Sequence, residues 1–185
     1  MKISDLSIFT ISSSISQFAG GLIGPFYIVF VQKLGGGSIE NLGVAFGILG
    51  IFSALTAYFA GKYSDNLGRK PFLILTGYLS AILYLLYLLV KTNIQLFVLQ
   101  AIVGIVGSIF GIVSSVLLAD ITHHKIRGRQ IGFYNLIVGI FTSLALIMGG
   151  FLIGKLGFVI VFYIFSGLTV IATTMLFLIK ETVKK

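Results

Sequence analysis

The chain has 185 residues, of which 57% are hydrophobic and only 10% are Asp, Glu, Lys or Arg, and its formal net charge is +8. A soluble domain carries roughly 25% charged residues, so this composition excludes an ordinary water-soluble fold and indicates a membrane protein. The chain contains no cysteine, which excludes disulfides and thiolate metal sites.

Six apolar segments run along the chain, and none of them contains Asp, Glu, Lys, Arg or His. A membrane helix needs about 20 apolar residues, so each segment can cross the hydrocarbon. The first is too long for the hydrophobic part of a signal peptide and is predicted to be retained. The connections leave no room for a soluble domain, so residues 1–185 are predicted to form one all-α transmembrane domain. The predicted helices span about 6–32, 41–61, 71–90, 92–119, 130–154 and 156–179.

The basic residues of the connections predict the orientation of the chain. With a cytoplasmic N-terminus, ten of the 13 Lys and Arg residues lie inside and three lie outside. Positive residues near helix ends stay in the cytoplasm, so both termini are predicted to be cytoplasmic in a multi-pass protein of the cytoplasmic membrane. The charges are spread over short connections rather than gathered on one face, which argues against nucleic acid as a partner. The inside residues are Lys2, Lys62, Arg69, Lys70, Lys125, Arg127, Arg129, Lys180, Lys184 and Lys185, and the outside residues are Lys33, Lys91 and Lys155.

The first and fourth segments combine small residues with amide and hydroxyl side chains. Such groups are costly against lipid, so they are predicted to point inward, towards another helix or water. Pro25 and its neighbouring glycines loosen the backbone of the first segment, which suits a helix that bends beside a cavity. Structural packing remains the alternative for both segments. The residues predicted to line the cavity are Ser13, Gln17, Gly24, Tyr27, Gln100, Ser108 and Ser114.

The remaining segments differ in the size of their side chains. In the second segment, six Gly and Ala residues are spaced by 4, 3, 4, 3 and 4 positions, which keeps them on one helical face. The fifth segment has a similar series, and such faces let another backbone approach closely. The third segment is rich in Leu and Tyr, and the sixth is also bulky, so both are predicted to face lipid. The bulky residues of the sixth are Phe158, Phe162, Tyr163, Phe165 and Phe177.

A short polar connection, residues 61–71, separates the second and third segments and reads Gly-Lys-Tyr-Ser-Asp-Asn-Leu-Gly-Arg-Lys-Pro. It resembles the signature loop of the major facilitator superfamily of transporters. The run Ala-Asp-Ile-Thr at 119–122, followed by Arg-Gly-Arg-Gln-Ile-Gly at 127–132, is similar to the fourth-to-fifth connection of the drug-exporter-like branch. The positions that match the loop pattern are Gly61, Asp65, Gly68, Arg69 and Lys70, and those that depart from it are Tyr63, Ser64 and Asn66.

The resemblance implies a single six-helix half of the family's fold, built as two inverted three-helix repeats. Family members usually have twelve helices, in two halves around a central cavity that opens alternately to each side. A second, identical copy is the simplest source of the other half. The resemblance then places the second and fifth helices at the seam, the first and fourth at the cavity, and the third and sixth outside. The residues predicted at this homodimer interface are Gly43, Gly47, Gly50, Ala54, Gly132, Gly139 and Gly150.

The resemblance also implies a cytoplasmic gate at the signature loop. In the family the Asp of this loop lies near the N-terminus of the eleventh helix, which in a homodimer corresponds to the partner's fifth helix. Asp65 would meet the positive end of that helix dipole, and Arg69 would pair with Asp120. A solvated turn that obeys the positive-inside bias is the alternative. The predicted gate residues are Gly61, Asp65, Gly68, Arg69, Lys70, Asp120 and Arg127.

The sequence therefore predicts a half-size secondary transporter of a small neutral or amphipathic solute, working by alternating access. Its partners would be the small-molecule substrate, membrane lipid and a second copy of itself. The segments offer no titratable group, which favours facilitated or weakly coupled transport over obligate proton antiport. No enzyme, cofactor or metal is predicted, since His123 and His124 lack a glutamate at metal-ligand spacing. Two alternatives stay open: a non-transporting half that acts as a scaffold or sensor, and one half of a heterodimeric transporter.

Overall fold

The computed structural model describes residues 4–33 and 38–180, and within these ranges every regular element is helical. Lys2, Lys184 and Lys185, used above to predict the orientation, lie outside the described residues. Short 3₁₀ turns occupy Gly24–Phe26, Tyr87–Leu89, His124–Ile126 and Leu176–Leu178. The α-helices are α1 (Asp5–Ile23), α2 (Tyr27–Lys33), α3 (Ile39–Leu67), α4 (Lys70–Leu86), α5 (Asn93–Ile121) and α6 (Arg127–Met175).

Five apolar stretches of these helices are long enough to cross a membrane within the described ranges. The first, Asp5–Gln32, joins α1 and α2 through the 3₁₀ turn that contains Pro25. Proline has no N–H to donate, so the helical hydrogen-bond ladder is interrupted there, as the sequence predicted. The last stretch, His124–Leu178, spans 55 residues and contains the fifth predicted segment and all but the last residue of the sixth.

Gly157 divides α6 into a first arm (residues 127–156) and a second arm (residues 158–175). Its φ of 80° and ψ of 177° are not helical, and a positive φ of this size favours glycine because no Cβ is present to clash. Along the first arm, Tyr134 stacks on Phe9 and, further on, Gly149 packs against the backbone of Leu22. The first arm therefore runs beside α1 in the same direction.

The second arm runs the opposite way. Ser12, near the start of α1, donates a hydrogen bond of 2.7 Å to the carbonyl of Ala172, near the end of the arm. Phe30, in α2, lies against Phe158 at the beginning of the arm, with ring centroids 5.5 Å apart. The chain thus reverses at Gly157, and one residue takes the place of a loop between the two arms.

α3 and α5 form a second pair of parallel helices held by contacts between their backbones. A Cβ added at Gly104 would lie 2.5 Å from the carbonyl oxygen of Leu49. Ser53 donates a hydrogen bond of 3.0 Å to the carbonyl of Gly104, and Ser108 donates one of 2.8 Å to the carbonyl of Ser53. The polar side chains of this pair therefore serve helix association.

A cluster of aromatic rings packs α4 against the second arm of α6. Tyr84 stacks on Phe165 with ring centroids 3.7 Å apart, and Tyr87 stacks on Phe162 at 5.7 Å. Phe158, Phe162 and Phe165 are all buried, so the prediction that the sixth segment is turned towards lipid is wrong for these residues. The sixth segment has a buried and an exposed face, since Tyr163 in α6 and Phe177 in the 3₁₀ turn that follows are exposed as predicted.

The small-residue face of α3 points away from the bundle. Only 6% of the most apolar stretch of α3 is buried, against 33% for each of α4 and α5. A Cβ added to any of five interface glycines would meet no atom within 4 Å, so nothing in the described chain packs against them. These glycines are Gly43, Gly47 and Gly50 in α3 and Gly132 and Gly139 in the first arm of α6.

We predict opposite effects for two alanine substitutions in α5. Gly104→Ala should destabilise the protein by about 1–3 kcal/mol, because the new methyl group overlaps the backbone of α3. Gly111→Ala should be neutral or stabilising by up to about 1 kcal/mol, because Gly111 is exposed, has free space around it and alanine favours helix. Helix content followed during SDS titration measures both changes. Equal stabilities would contradict the close packing of α3 and α5.

Candidate functional site

The polar connection between α3 and α4 is a tight turn set by two residues. Gly68 ends α3 with a φ of 92°, a conformation that glycine adopts without strain. Pro71 lies in the first turn of α4, where its missing N–H has no helical partner to lose. Gly61, one turn before the polar residues, faces Ile112 of α5, so α3 is still packed on its neighbour when the connection begins.

Arg69 is the centre of this connection, with only 17% of its side chain exposed. Its guanidinium lies 2.7 Å from the Asp65 carboxylate, and its Nε lies 3.3 Å from Asp120 at the end of α5. It also donates to the carbonyl of Ser64. The pairing of Arg69 with Asp120 that the sequence predicted is therefore present. Asp65 pairs with Arg69 in its own turn and keeps 63% of its side chain exposed.

Lys70 joins the same end of the bundle to the C-terminal part of the chain. Its Nζ donates to the carbonyls of Phe177 and Ile179, both at 2.8 Å. Carbonyls at the end of a helix have no helical donor, and a cation there also meets the negative end of the dipole. Arg127, also predicted at the gate, begins α6 and is exposed. The turn thus ties α3, α4, α5 and the end of the second arm together.

A cavity of about 240 Å³ opens between α1, α4, α5 and the second arm of α6. Gln17, which the sequence predicted as a cavity residue, lines it and is exposed. Sequence reasoning missed Ser16, Ser80 and Thr169, which also line it. The threonines of the sixth segment were the available signal for Thr169, since hydroxyl groups in an apolar helix are costly against lipid.

Two other predicted cavity residues lie in the core. Gln100 is 1% exposed and donates its amide to the hydroxyl of Tyr27, which is 8% exposed. Tyr87 donates to the amide oxygen of Gln100 at 3.2 Å. The polar groups therefore satisfy each other inside the helix bundle, which accounts for an amide within an apolar segment without any solute.

The remaining predicted cavity residues do not line the cavity of 240 Å³. Ser108 bonds the backbone of α3, and a Cβ at Gly24 would approach Leu146 at 3.2 Å. Ser13 is half-buried in α1, and the buried hydroxyl of Ser114 finds no partner among the described residues. Of the seven residues predicted to line a cavity, the structure brings only Gln17 to this one.

Part of the predicted interface also packs inside the chain. A Cβ at Gly150 would lie 3.2 Å from the ring of Phe26, so this position already has a neighbour. Ala54 is exposed on α3, on the same side as the unfilled glycines.

No group of His, Cys, Asp and Glu that could hold a metal ion occurs in residues 4–33 and 38–180. His123 instead accepts a hydrogen bond from the backbone of Lys125 in the turn before α6.

Comparison with known proteins gives consistent matches. The sequence matches the family described as Major Facilitator Superfamily over residues 9–185. It is 32% identical over 146 residues to the uncharacterized MFS-type transporter YitZ of Bacillus subtilis (strain 168), which covers 79% of this chain and 88% of YitZ. It is 40% identical over 90 residues to the multidrug resistance protein MdtG of Proteus mirabilis (strain HI4320), covering 46% of this chain and 22% of that protein.

A longer match joins the chain to MdtG of Salmonella paratyphi C (strain RKS4594), with 28% identity over 164 residues. This alignment covers 86% of the chain but only 40% of that MdtG. The chain therefore spans most of YitZ and less than half of the MdtG proteins that it matches.

We predict that Arg69 stabilises the polar turn more than either of its acidic partners does. Arg69→Ala should cost about 1–2 kcal/mol because it removes both ion pairs and the bond to the Ser64 carbonyl. Asp65→Asn should cost less than about 1 kcal/mol because its carboxylate is largely exposed. SDS titration of each variant measures the loss. Lys62→Ala, which removes an exposed cation without an ion pair in the described chain, is the control, and an equal effect there would contradict the prediction.

Proposed function

Because the chain belongs to the major facilitator superfamily and is an integral multi-pass membrane protein, we propose that it forms one half of a secondary transporter. The transporter carries a small neutral or amphipathic solute by alternating access, and a second copy of the chain supplies the other half. The observation that carries this proposal is the exposed face of unfilled glycines on α3 and the first arm of α6.

The proposed topology has six membrane crossings, with both arms of α6 spanning the bilayer and both termini in the cytoplasm. The reversal at Gly157 supports it, because the two arms contact α1 in opposite directions. The ion pair of Arg69 with Asp120 and the bonds of Lys70 bring basic connections to one end of the bundle. The first three proposed crossings are α1 with α2, α3 and α4, and the last three are α5 and the two arms of α6. These two units begin at opposite ends of the bundle, as two inverted three-helix repeats would.

Pairing of two copies follows from the packing of helices in lipid. Membrane helices associate where small residues let backbones approach closely, because apolar side chains gain little by leaving lipid. The glycines at 43, 47 and 50 offer such a face and find no partner in the described chain. A twofold axis would set identical faces of two copies against each other. A match across 88% of YitZ supports a unit of this length within the family.

The proposed gate uses the exposed side of Asp65. With 63% of its side chain accessible, this carboxylate can hold Arg69 and still approach the N-terminus of α6 in a second copy. Such a contact with a helix dipole contributes about 0.3–1 kcal/mol and would favour closure at the cytoplasmic side. Each copy supplies one Asp65 and one α6, so the contact occurs twice.

The solute class follows from the absence of charge. The apolar segments contain no Asp, Glu, Lys, Arg or His, so a charged solute would find no counter-charge within the membrane. The same absence supports facilitated or weakly coupled transport. MdtG relatives bear the name multidrug resistance protein, which supports an amphipathic solute for this chain.

The stoichiometry and the flux of the purified protein test this proposal. In lipid nanodiscs, native mass spectrometry should give the mass of two identical chains, and proteoliposomes should take up radiolabelled chloramphenicol, a neutral amphipathic compound, with saturable kinetics. Gly47→Leu should reduce the dimer at least about tenfold by blocking close approach of the helices. Gly167→Leu is the matched control, because Gly167 is also exposed with free space but lies on the second arm.

Three outcomes would contradict the paired transporter. A stable monomer without flux supports a scaffold or sensor, and flux only in the presence of a different chain supports a heterodimer. A dimer that Gly47→Leu and Gly167→Leu weaken equally would place the interface elsewhere.

We predict that Asp65→Ala shifts the population of the dimer towards inward-open forms. The substitution removes the charge that meets the helix N-terminus of the partner. A spin label at Lys62→Cys reports the distance between the two copies, and the cysteine-free sequence makes this label unique in each chain. The distance distribution should move to longer values in Asp65→Ala. Asp5→Ala is the control for loss of an acid, and an unchanged distribution in Asp65→Ala would exclude the gate.

A further inference from the structure

The cavity between α1, α4, α5 and the second arm of α6 lies inside a single chain, whereas the solute path proposed above lies between two chains. We propose that this cavity is a ligand site of its own. It binds an uncharged molecule, or part of one, with a single ring and one hydrogen-bonding group. Each chain holds one such site, so the proposal does not depend on the pairing of two copies.

The size of the cavity limits the ligand. Pockets for drug-sized ligands measure about 300–1,000 Å³, and this cavity measures about 240 Å³. It therefore accommodates a group of roughly one ring. Tyr84 and Phe165 form one wall, stacked with their ring centroids 3.7 Å apart. Leu83 and Val106 are buried beside them, so the inner part of the cavity is apolar.

Thr169 supplies the observation that points to a hydrogen-bonding ligand. This residue lines the cavity and is only 4% exposed. Its hydroxyl is buried and has no hydrogen-bond partner among the described residues, although its backbone carbonyl accepts from Thr173. Buried hydroxyls are nearly always bonded, so the Thr169 hydroxyl has an unused hydrogen-bonding capacity at a residue that lines the cavity.

The open side of the cavity is also polar. Gln17 is exposed there and Ser16 is half-buried, and the side chain of neither forms a hydrogen bond within the described ranges. Gly107 lies at the same opening, where a Cβ would meet no atom within 4 Å. A ligand can therefore enter past Gly107, with its ring against the apolar wall and its polar group near Thr169.

The cavity lining selects against charge. None of its residues is Asp, Glu, Lys, Arg or His, so an ion would lose its hydration without gaining a counter-ion. The chemistry that fits is a neutral amide or alcohol on a small ring.

The test uses the full chain in lipid nanodiscs and the probe 4-fluorobenzamide, followed by fluorine NMR with empty nanodiscs as the blank. We expect saturable binding, and binding of 4-fluorobenzoate at least about tenfold weaker. Thr169→Val keeps the shape of the side chain but removes the hydroxyl, and it should weaken binding about fivefold without lowering thermal stability. Gly107→Leu fills the opening and should abolish binding.

Two matched variants complete the test. Thr56→Val removes a threonine hydroxyl that bonds its own helix outside the cavity, and Gly111→Leu fills free space one turn from Gly107. Both should bind the probe as the unmodified chain does. The proposal would be overturned if the unmodified chain showed no saturable binding. It would also be overturned if Thr169→Val and Gly107→Leu bound the probe as tightly as the unmodified chain does. If a monomeric chain binds 4-fluorobenzamide but shows no chloramphenicol flux, the proposal of a paired transporter fails and the proposal of this ligand site stands.

Discussion

Close contact between helix backbones is the constraint on which the rest of this structure depends. Apolar side chains gain little by leaving lipid for the interior of a bundle, so packing and hydrogen bonds have to hold the helices together. Gly104 against Leu49 joins α3 to α5, and Gly149 against Leu22 joins α1 to the first arm of α6. Both contacts join parallel helices. The aromatic cluster joins α4 to the second arm of α6, and the cavity lies between these two elements, α1 and α5.

The chain's composition was sufficient to predict a helical membrane protein, and the resemblance of its polar connection to the family's signature loop implied the ion pair of Arg69 with Asp120. Periodicity predicted faces of small residues, but it could not identify the neighbour of each face. Gly47 and Gly104 occupy similar series, yet one is exposed and the other meets a backbone. The same limit explains Gln100, whose amide indicated an inward direction but not its bond to Tyr27. The helix that packs against a given face is determined by the tertiary fold.

Polar groups within the bundle follow one rule, which is that the chain itself satisfies them. Ser53 and Ser108 bond backbone across α3 and α5, Ser12 bonds α6, and Gln100 bonds two tyrosines. Two buried hydroxyls depart from this rule among the described residues, those of Ser114 and Thr169, and the departure of Thr169 lies beside the cavity. The sequence could not predict this departure, because the residue type does not reveal whether a hydroxyl is hydrogen-bonded. Only the packing of the helices determines that.

The single-residue reversal at Gly157 has a consequence for biogenesis. Because a single residue joins them, the two arms of α6 form a tight helical hairpin, and the second arm reaches α4 only by turning back at Gly157. In the proposed topology the two arms cross the bilayer in opposite directions, and the exposed Lys155 lies beside the tip of this hairpin. The ring stacking between the second arm and α4 therefore requires a closed hairpin, so it can form only after both arms of α6 have been synthesised.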